Sequence, residues 1–366
     1  LVTLGSGTNY VFGEAVATGV APSRNANPNL KWEETASTNV ALDYGFLGNR
    51  VLGTIEYYVK NTKDLLLTVA VPQPAVATTR LENVGKLRNT GLEMSLDGQM
   101  INRPGFNWSA GFVFSHEKGK VQNLGPYSFI TTGDVSGQGL SGVKAQRILP
   151  GQPLGTFFGP QFVGVNAAGQ ETFNKYTVTR DPVTGAELTR VLSGTTIGTA
   201  LTADDNVILG NANPTYTLGV HSQTNWRQFD FSFLINSARG QKVFNNTALV
   251  YASKANATQD WNFLASALND GIGVHEASYY SSRFIEDGSF VRLQNITAGY
   301  TFEIPRFTGV GRTARVSVSG DNLWISTPYT GYDPEVYTDA LIASRGVDYL
   351  HYPRPRTITG ALRVTF

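Results

Sequence analysis

Cysteine is absent from all 366 residues, which excludes a disulfide framework, a thiolate metal site and a cysteine nucleophile together. Charge is scarce as well: 16% of the chain is Asp, Glu, Lys or Arg, against roughly 25% in an average soluble domain. A chain so poor in charge has little with which to coat a surface facing water. The net charge is +1, with neither a basic block nor an acidic tail, and this sets nucleic acid aside as a partner. The longest apolar run, LLLTVAVP at 65–72, falls well short of the roughly 18 residues a membrane-crossing helix needs. Helical periodicity is nearly absent. The opening LVTLGSGTNYVFGEAV has no initiator Met, basic region or cleavage pattern, so no signal peptide is expected there and the chain is expected to begin inside a longer one.

What the chain has in quantity is glycine (39), phenylalanine (20) and tyrosine (16), set in segments that alternate with period two. In KWEETASTNVALDYGF (31–46) the even positions Ala36, Val40, Leu42, Tyr44 and Phe46 are apolar, whereas Lys31, Glu33, Asn39 and Asp43 occupy odd ones. The same pattern returns at 50–62, 89–101, 106–117, 214–225, 228–240, 288–303, 312–324 and 356–366, which predicts nine strands and an all-β fold. Slipping the first strand by one residue would turn Asp43 to the greasy face, at about 2–4 kcal/mol for a charge at a bilayer midplane.

The connections alternate in length. Short turns are expected near 46–50, 101–106, 225–228 and 303–312, and long loops at 63–88, 118–213, 241–287 and 325–355. Short turns on one side and long loops on the other describe an antiparallel transmembrane β-barrel, with periplasmic turns and extracellular loops. Tyr44, Phe46, Phe106, Trp108, Phe229, Tyr300, Phe302 and Phe366 all fall at the short-turn ends on the apolar face, where an interfacial aromatic girdle belongs. Phe366 then closes the last strand, and an aromatic end of this kind resembles the signal read by the outer-membrane barrel assembly machinery. Nine strands entered from outside cannot close an even-stranded barrel, so further strands are expected before residue 1. The strand-like stretch GQPLGTFFGPQFVGV (151–165) would break this parity if it spanned, and it is expected in an extracellular extension.

Sites of chemistry are sparse. GQGLSG (137–142) matches a dinucleotide-binding spacing but has neither the preceding strand nor the following helix that would hold a pyrophosphate, and reads as a flexible loop. His116, His221, His275 and His351 are scattered without ligand spacing, so no metal and no cofactor is expected, and His221 is expected to hydrogen-bond inside the lumen. No nucleophile elbow occurs, and no enzymatic activity is expected. The polar face carries Asn39, Asp43, Glu56, Glu93, Asp97, Ser109, Gln223, Asp230, Asn236, Asn295, Arg315 and Asp321. Its mixed signs argue against a charge-selective pore, and a structural role against an internal plug is expected for most of them. Substrate contacts are expected in the long loops, from Tyr127, Phe129, Trp261, Tyr279, Tyr280, Tyr329, Tyr332 and Asp333. Flat rings beside hydrogen-bonding groups suit a sugar or a peptide, although such rings also pin loops to one another.

Ordered motifs from residue 27 to the end resemble the C-terminal region of the SusC/RagA group of TonB-dependent outer-membrane transporters. They are NPNLKWE (27–33), TIEYYVKNTKDLLL (54–67), NVGKLRNTGLEMSL (83–96), GQPLGTFFG (151–159), ILGNANPTYTLG (208–219), GSFVRLQNITAGYTF (288–302), YTGYDPEV (329–336) and YPRPRTITGALRVTF (352–366). The resemblance implies the last nine strands of a 22-stranded barrel, with the plug domain, the TonB-contacting segment and the earlier strands lying outside residues 1–366. It implies import of oligosaccharides or peptides across the outer membrane, with a SusD-like surface lipoprotein and the TonB complex as partners and outer-membrane lipid around the barrel. An Asp-rich, calcium-loop-like stretch often found in the group has no counterpart between 166 and 206, so no metal is carried over. Two alternatives remain at this stage: a barrel-derived surface or structural β-protein without transport, and a soluble β-sandwich that buries the aromatic face against a second sheet.

Overall fold

The computed structural model describes residues 3–137, 140–304, 313–336 and 345–365. Phe366, most of the expected 303–312 turn and part of GQGLSG lie outside the described residues.

All nine expected strands form, and they form one antiparallel sheet in chain order. The strands are Glu34–Phe46, Val51–Lys63, Lys86–Arg103, Phe106–Asn123, Tyr216–Trp226, Phe229–Arg239, Phe290–Glu303, Thr313–Ser326 and Thr357–Thr365. The register sets apolar residues opposite one another from edge to edge: Val40 with Tyr57, Tyr57 with Leu92, Leu96 with Phe112, Phe112 with Val220, Val220 with Ile235, Phe233 with Ile296, Ala298 with Val318, and Val316 with Leu362. Cross-strand pairs of this kind hold the register, because a slip of one residue would exchange the two faces. Among the described residues nothing covers the apolar face: Val40 is 68% exposed, Val316 46% and Leu362 68%. A soluble sandwich would bury these side chains.

Two short turns are tied to each other. Pro104–Gly105 turns with Gly105 at φ +75°, and Arg227 turns at φ +51°, where a residue with a Cβ is strained. The Arg227 N–H donates to the Gly105 carbonyl at 2.8 Å. Next to these turns Trp226, Phe229, Tyr300 and Phe302 make successive ring contacts with centroids 5.9, 4.7 and 6.2 Å apart, a belt that includes Trp226 beyond the expected aromatics. The Trp108 indole N–H donates to Ser222 Oγ at 3.0 Å, so its one polar atom is satisfied on an apolar face.

The opposite face is polar and largely self-paired. Arg315 holds Asp230 across Gly299, Asn295 donates to Asp321 at 2.7 Å, Thr54 donates to Asp43 at 2.7 Å, and His221 Nε2 lies 2.9 Å from Asp97. Several residues expected to await a plug thus have partners within the sheet. Tyr58 lies over Gly91, where an added Cβ would come within 2.2 Å of the ring.

The long connections are folded rather than irregular. Residues 118–213 hold a four-stranded sheet (Ile130–Asp134, Lys144–Ile148, Thr156–Pro160, Asn206–Asn211) and a three-stranded one (Phe162–Val165, Glu171–Arg180, Glu187–Ile197). The 151–165 stretch therefore supplies strands outside the nine-stranded sheet, as its parity requires. Residues 241–287 contain the strand Lys242–Asn245 and the short helix Asn246–Tyr251, and Val347–Asp348 pairs in parallel with Lys242–Asn245. A hairpin of Thr3–Phe12 and Ala15–Arg24 precedes the sheet and lies outside the expected strands. Its small residues, Gly5, Ala15, Ala17, Gly19 and Ala21, flatten the alternation that marks the other strands.

The buried core sits in the connections. Phe157, Phe244, Leu249, Tyr280, Phe284 and Val347 draw three of the long loops into one cluster. Leu65, Val69, Val84, Leu87, Val121, Leu124, Ile130 and Ile148 form a second beneath the 63–88 loop.

Candidate functional site

The 118–213 and 241–287 connections, with Tyr349 of the 325–355 connection, line an open cleft of about 1410 Å³. Four hydrogen bonds set its edges. The Asn245 carboxamide oxygen accepts from the Ala248 N–H at 2.8 Å and caps the short helix. The adjacent Asn246, fully buried, accepts from the Ser136 N–H at 2.8 Å and donates to the Ser136 carbonyl at 2.7 Å, pinning one connection to the other. Asp260, at φ +57°, ends a 3-10 turn, and the following Trp261 N–H donates to the Asn256 carbonyl at 2.9 Å. That turn leaves the Trp261 ring 53% exposed at the cleft wall.

Tyr279 and Tyr280 enter from the other end of the same connection. The Tyr279 N–H donates to Glu171 at 3.0 Å, and its ring packs edge-on against Phe173. Gly198 admits that ring, since a Cβ there would lie 2.2 Å from it. The Tyr280 hydroxyl donates to the Ala145 carbonyl at 2.6 Å, its ring meets Phe244 edge-on, and burial pushes its phenol far above the usual value.

Behind these rings lies a buried ionic clasp. Arg283 bridges Glu171 at 2.5 Å and Asp270 at 2.8 Å, and Lys254 reaches Asp270 at 3.1 Å. Burial raises the Glu171 pKa more than hydrogen bonds from the Tyr279 N–H and Arg283 lower it. For Asp270 burial is again the largest influence, but hydrogen bonds from Arg283, the Ile272 N–H and Lys254 together carry its pKa below the ordinary range.

On the facing sheet Arg147 is half-buried with its guanidinium carbon over two rings, 4.2 Å from the Phe129 centroid and 4.0 Å from that of Phe158. Burial and the nearby Arg190 charge lower its pKa. Lys144 and Asn206 line the same wall, and Lys144 is paired with Asp134.

Of the residues expected to contact substrate, the structure brings Trp261, Tyr279 and Tyr280 to the cleft, and Phe129 borders it beneath Arg147. The other four do not line it. Tyr127 packs on the second core cluster and its hydroxyl donates to Glu82 at 2.9 Å. Tyr329 is buried with its hydroxyl on Asp348, Asp333 is buried against Arg292 at 2.7 Å, and Tyr332 stands in solvent. Arg147, Phe158, Asn206, Asp260 and Ser278 line the cleft without having been expected. Arg147, Asn206, Asp260 and Ser278 carry no ring, so a search for aromatics alone passes over them, and Phe158 lies in the 151–165 stretch, expected only as an extension strand.

A family model described as TonB dependent receptor-like, beta-barrel matches residues 3–323. The chain belongs to this family. TonB-dependent receptor P3 of Formosa agariphila is 31% identical, over 97% of this chain and 36% of that receptor. TonB-dependent receptor SusC of Bacteroides thetaiotaomicron is 28% identical, over 98% of this chain and 34% of SusC. Among solved structures, that of the RagAB peptide transporter superposes with a TM-score of 0.78 at 21% identity, covering all of this chain and 38% of that one. The RagAB importer in its open-open state gives 0.74 at 20%. At such identity the superposition speaks for the fold. The chain spans about a third of the length of the curated receptors it matches, and the receptor-barrel match takes in the 118–213 and 241–287 connections.

Proposed function

We propose that residues 1–366 are the C-terminal barrel portion of a TonB-dependent outer-membrane importer of oligosaccharides or peptides. The cleft between the 118–213 and 241–287 connections is its substrate-contacting part. The observation that carries this reading is the division of apolar surface. The sheet leaves its apolar face and aromatic belt uncovered, while the connections above it bury a core of their own. An uncovered apolar face of this extent suits outer-membrane lipid, and the buried core suits a surface held in water.

The kinship with SusC and with RagAB, a peptide transporter by its name, supports import, a SusD-like lipoprotein at the surface and coupling to the TonB complex. Relatives with receptor and transporter names likewise support a non-enzymatic role. The plug that contacts TonB would lie in the remainder of the longer protein, and the barrel assembly machinery would insert the whole. Trp261, Tyr279 and Tyr280 are the expected ring contacts in the cleft.

The test is uptake by the full-length protein in an outer membrane, with labelled oligosaccharide and peptide pools. Uptake is expected to stop when the proton-motive force is collapsed, and to fall when Trp261→Ala and Tyr279→Ala are combined. Uptake that survives loss of the proton-motive force overturns the importer reading. Uptake unaltered by the double substitution removes the cleft from the substrate path.

A further inference from the structure

Arg147 differs from five other arginines of the connections. Arg80, Arg180, Arg190, Arg283 and Arg354 each face a carboxylate. Arg147 faces none, and among the described residues its guanidinium has no hydrogen-bond acceptor; Asp260, which also lines the cleft, makes no ion pair with it. Half-buried charges without a counter-charge are costly, and a protein that keeps one usually has a use for it.

The two rings dictate what that use can be. The guanidinium carbon lies over the Phe129 and Phe158 rings, 4.2 and 4.0 Å from their centroids, and cation–π attraction holds it in place. The N–H donors lie in the guanidinium plane, and among the described residues no acceptor takes them. A planar fork of donors presented edge-on matches a planar anion with two acceptor oxygens, which is a carboxylate. A second polar group in the cleft is also unsatisfied: Ser278 Oγ is buried and has no hydrogen-bond partner among the described residues.

Resting on the cleft as the substrate-contacting part of an importer, we infer that Arg147 is a specificity-determining residue that receives a carboxylate of the incoming substrate. The group could belong to a peptide C-terminus or to an acidic sugar. Trp261 and Tyr279 supply ring surface for the rest of the molecule, and the Ser278 hydroxyl supplies a further donor.

The test is calorimetric titration of the full-length protein in detergent with two matched pairs of probes. One pair is N-acetyl-pentaalanine as free acid and as C-terminal amide; the other is trigalacturonic acid and its methyl ester. In at least one pair the acid should bind roughly ten- to hundredfold more tightly, the worth of a charge-assisted bidentate contact. Arg147→Gln should erase that margin and Arg147→Lys keep part of it, with the neutral probe bound as before. The pair that discriminates names the source, peptide terminus or uronate.

Equal affinity for acid and neutral probes in both pairs, with Trp261→Ala weakening them all, overturns the carboxylate assignment and leaves the cleft reading standing. Absence of binding by the unsubstituted protein, or binding that Trp261→Ala leaves unaltered, removes the cleft reading and the assignment together. The unsubstituted protein reads the preference by itself, so a variant that fails to fold does not shield the proposal.

Discussion

Replacing Arg283 with Met should open the cleft while leaving the barrel assembled. Met keeps the length and apolar stem of the side chain but removes both of its ion pairs, to Glu171 and Asp270. Asp270 retains Lys254 and the Ile272 N–H. Glu171, whose side chain is fully buried, retains, among the described residues, only the Tyr279 N–H. Breaking a buried pair by removing one partner costs about 3–5 kcal/mol, because the remaining charge is stranded. Amide hydrogen exchange at Tyr279, followed in the full-length receptor, should therefore accelerate by roughly two to three and a half powers of ten at pH 7.5. Heat-modifiable migration of the barrel should not alter.

The pH dependence carries a sign that separates this account from simple loss of packing. Asp270 has a depressed folded-state pKa, so its contribution is present above its unfolded value near 3.8 and is lost as pH falls through the folded one. Glu171 has a raised folded-state pKa, so its charged form weakens the loop, and protonation above its ordinary 4.5 relieves that. Arg283→Met deletes two of the influences that hold the Glu171 pKa down, so it climbs further. Acidification from pH 8 to 5 should restore protection at Tyr279 in the variant by more than in the parent, after correction for intrinsic exchange. Adding Glu171→Gln should recover most of the loss at every pH. Exchange in Arg283→Met that matches the parent at pH 7.5, or that quickens on acidification to pH 5, would refute the stranded-charge account.

Two further substitutions probe the scaffold. Gly91→Ala places a methyl within 2.2 Å of the Tyr58 ring, and overpacking of this kind costs about 1–3 kcal/mol; the assembled, heat-modifiable fraction should drop, and Tyr58→Ala in the same chain should bring it back. Tyr280→Phe leaves the Ala145 carbonyl without its 2.6 Å donor in a buried setting, at about 1–3 kcal/mol, so protease should nick the 241–287 connection faster while the barrel stays intact.

The nine strands are legible in the sequence because each carries its instruction locally. Alternation in KWEETASTNVALDYGF or RTITGALRVTF decides which face each residue takes, and no distant residue is needed to read it. The Thr3–Arg24 hairpin escapes the same reading because glycine and alanine contribute little to either face. The cleft is barely legible for a different reason. Arg147 becomes notable only once Phe129, Phe158 and the lack of a carboxylate are known, and that lack is a property of the assembled loops. Tyr329 and Asp333 show the converse. Aromatic and acidic residues in YTGYDPEV suggest ligand contacts, but Asp348 at the far end of the same connection and Arg292 on the sheet take Tyr329 and Asp333 for packing.

The chain is thus built for two solvents, and the boundary between them explains where function can reside. On the sheet, apolar side chains point outward and polar ones meet one another across strands, so exchanging one residue for another of like polarity alters little that a substrate could sense. In the connections the hydrophobic effect works in its usual sense, closing Phe157, Phe244, Leu249 and Phe284 into a core that fixes loop geometry. That core is what lets Trp261 stand half in water and Arg147 remain unpaired, since neither arrangement would persist in loops free to collapse around them. A recognition surface on a barrel therefore needs a second, water-facing fold above the first, and in the proposed importer 118–213 with 241–287 would provide it.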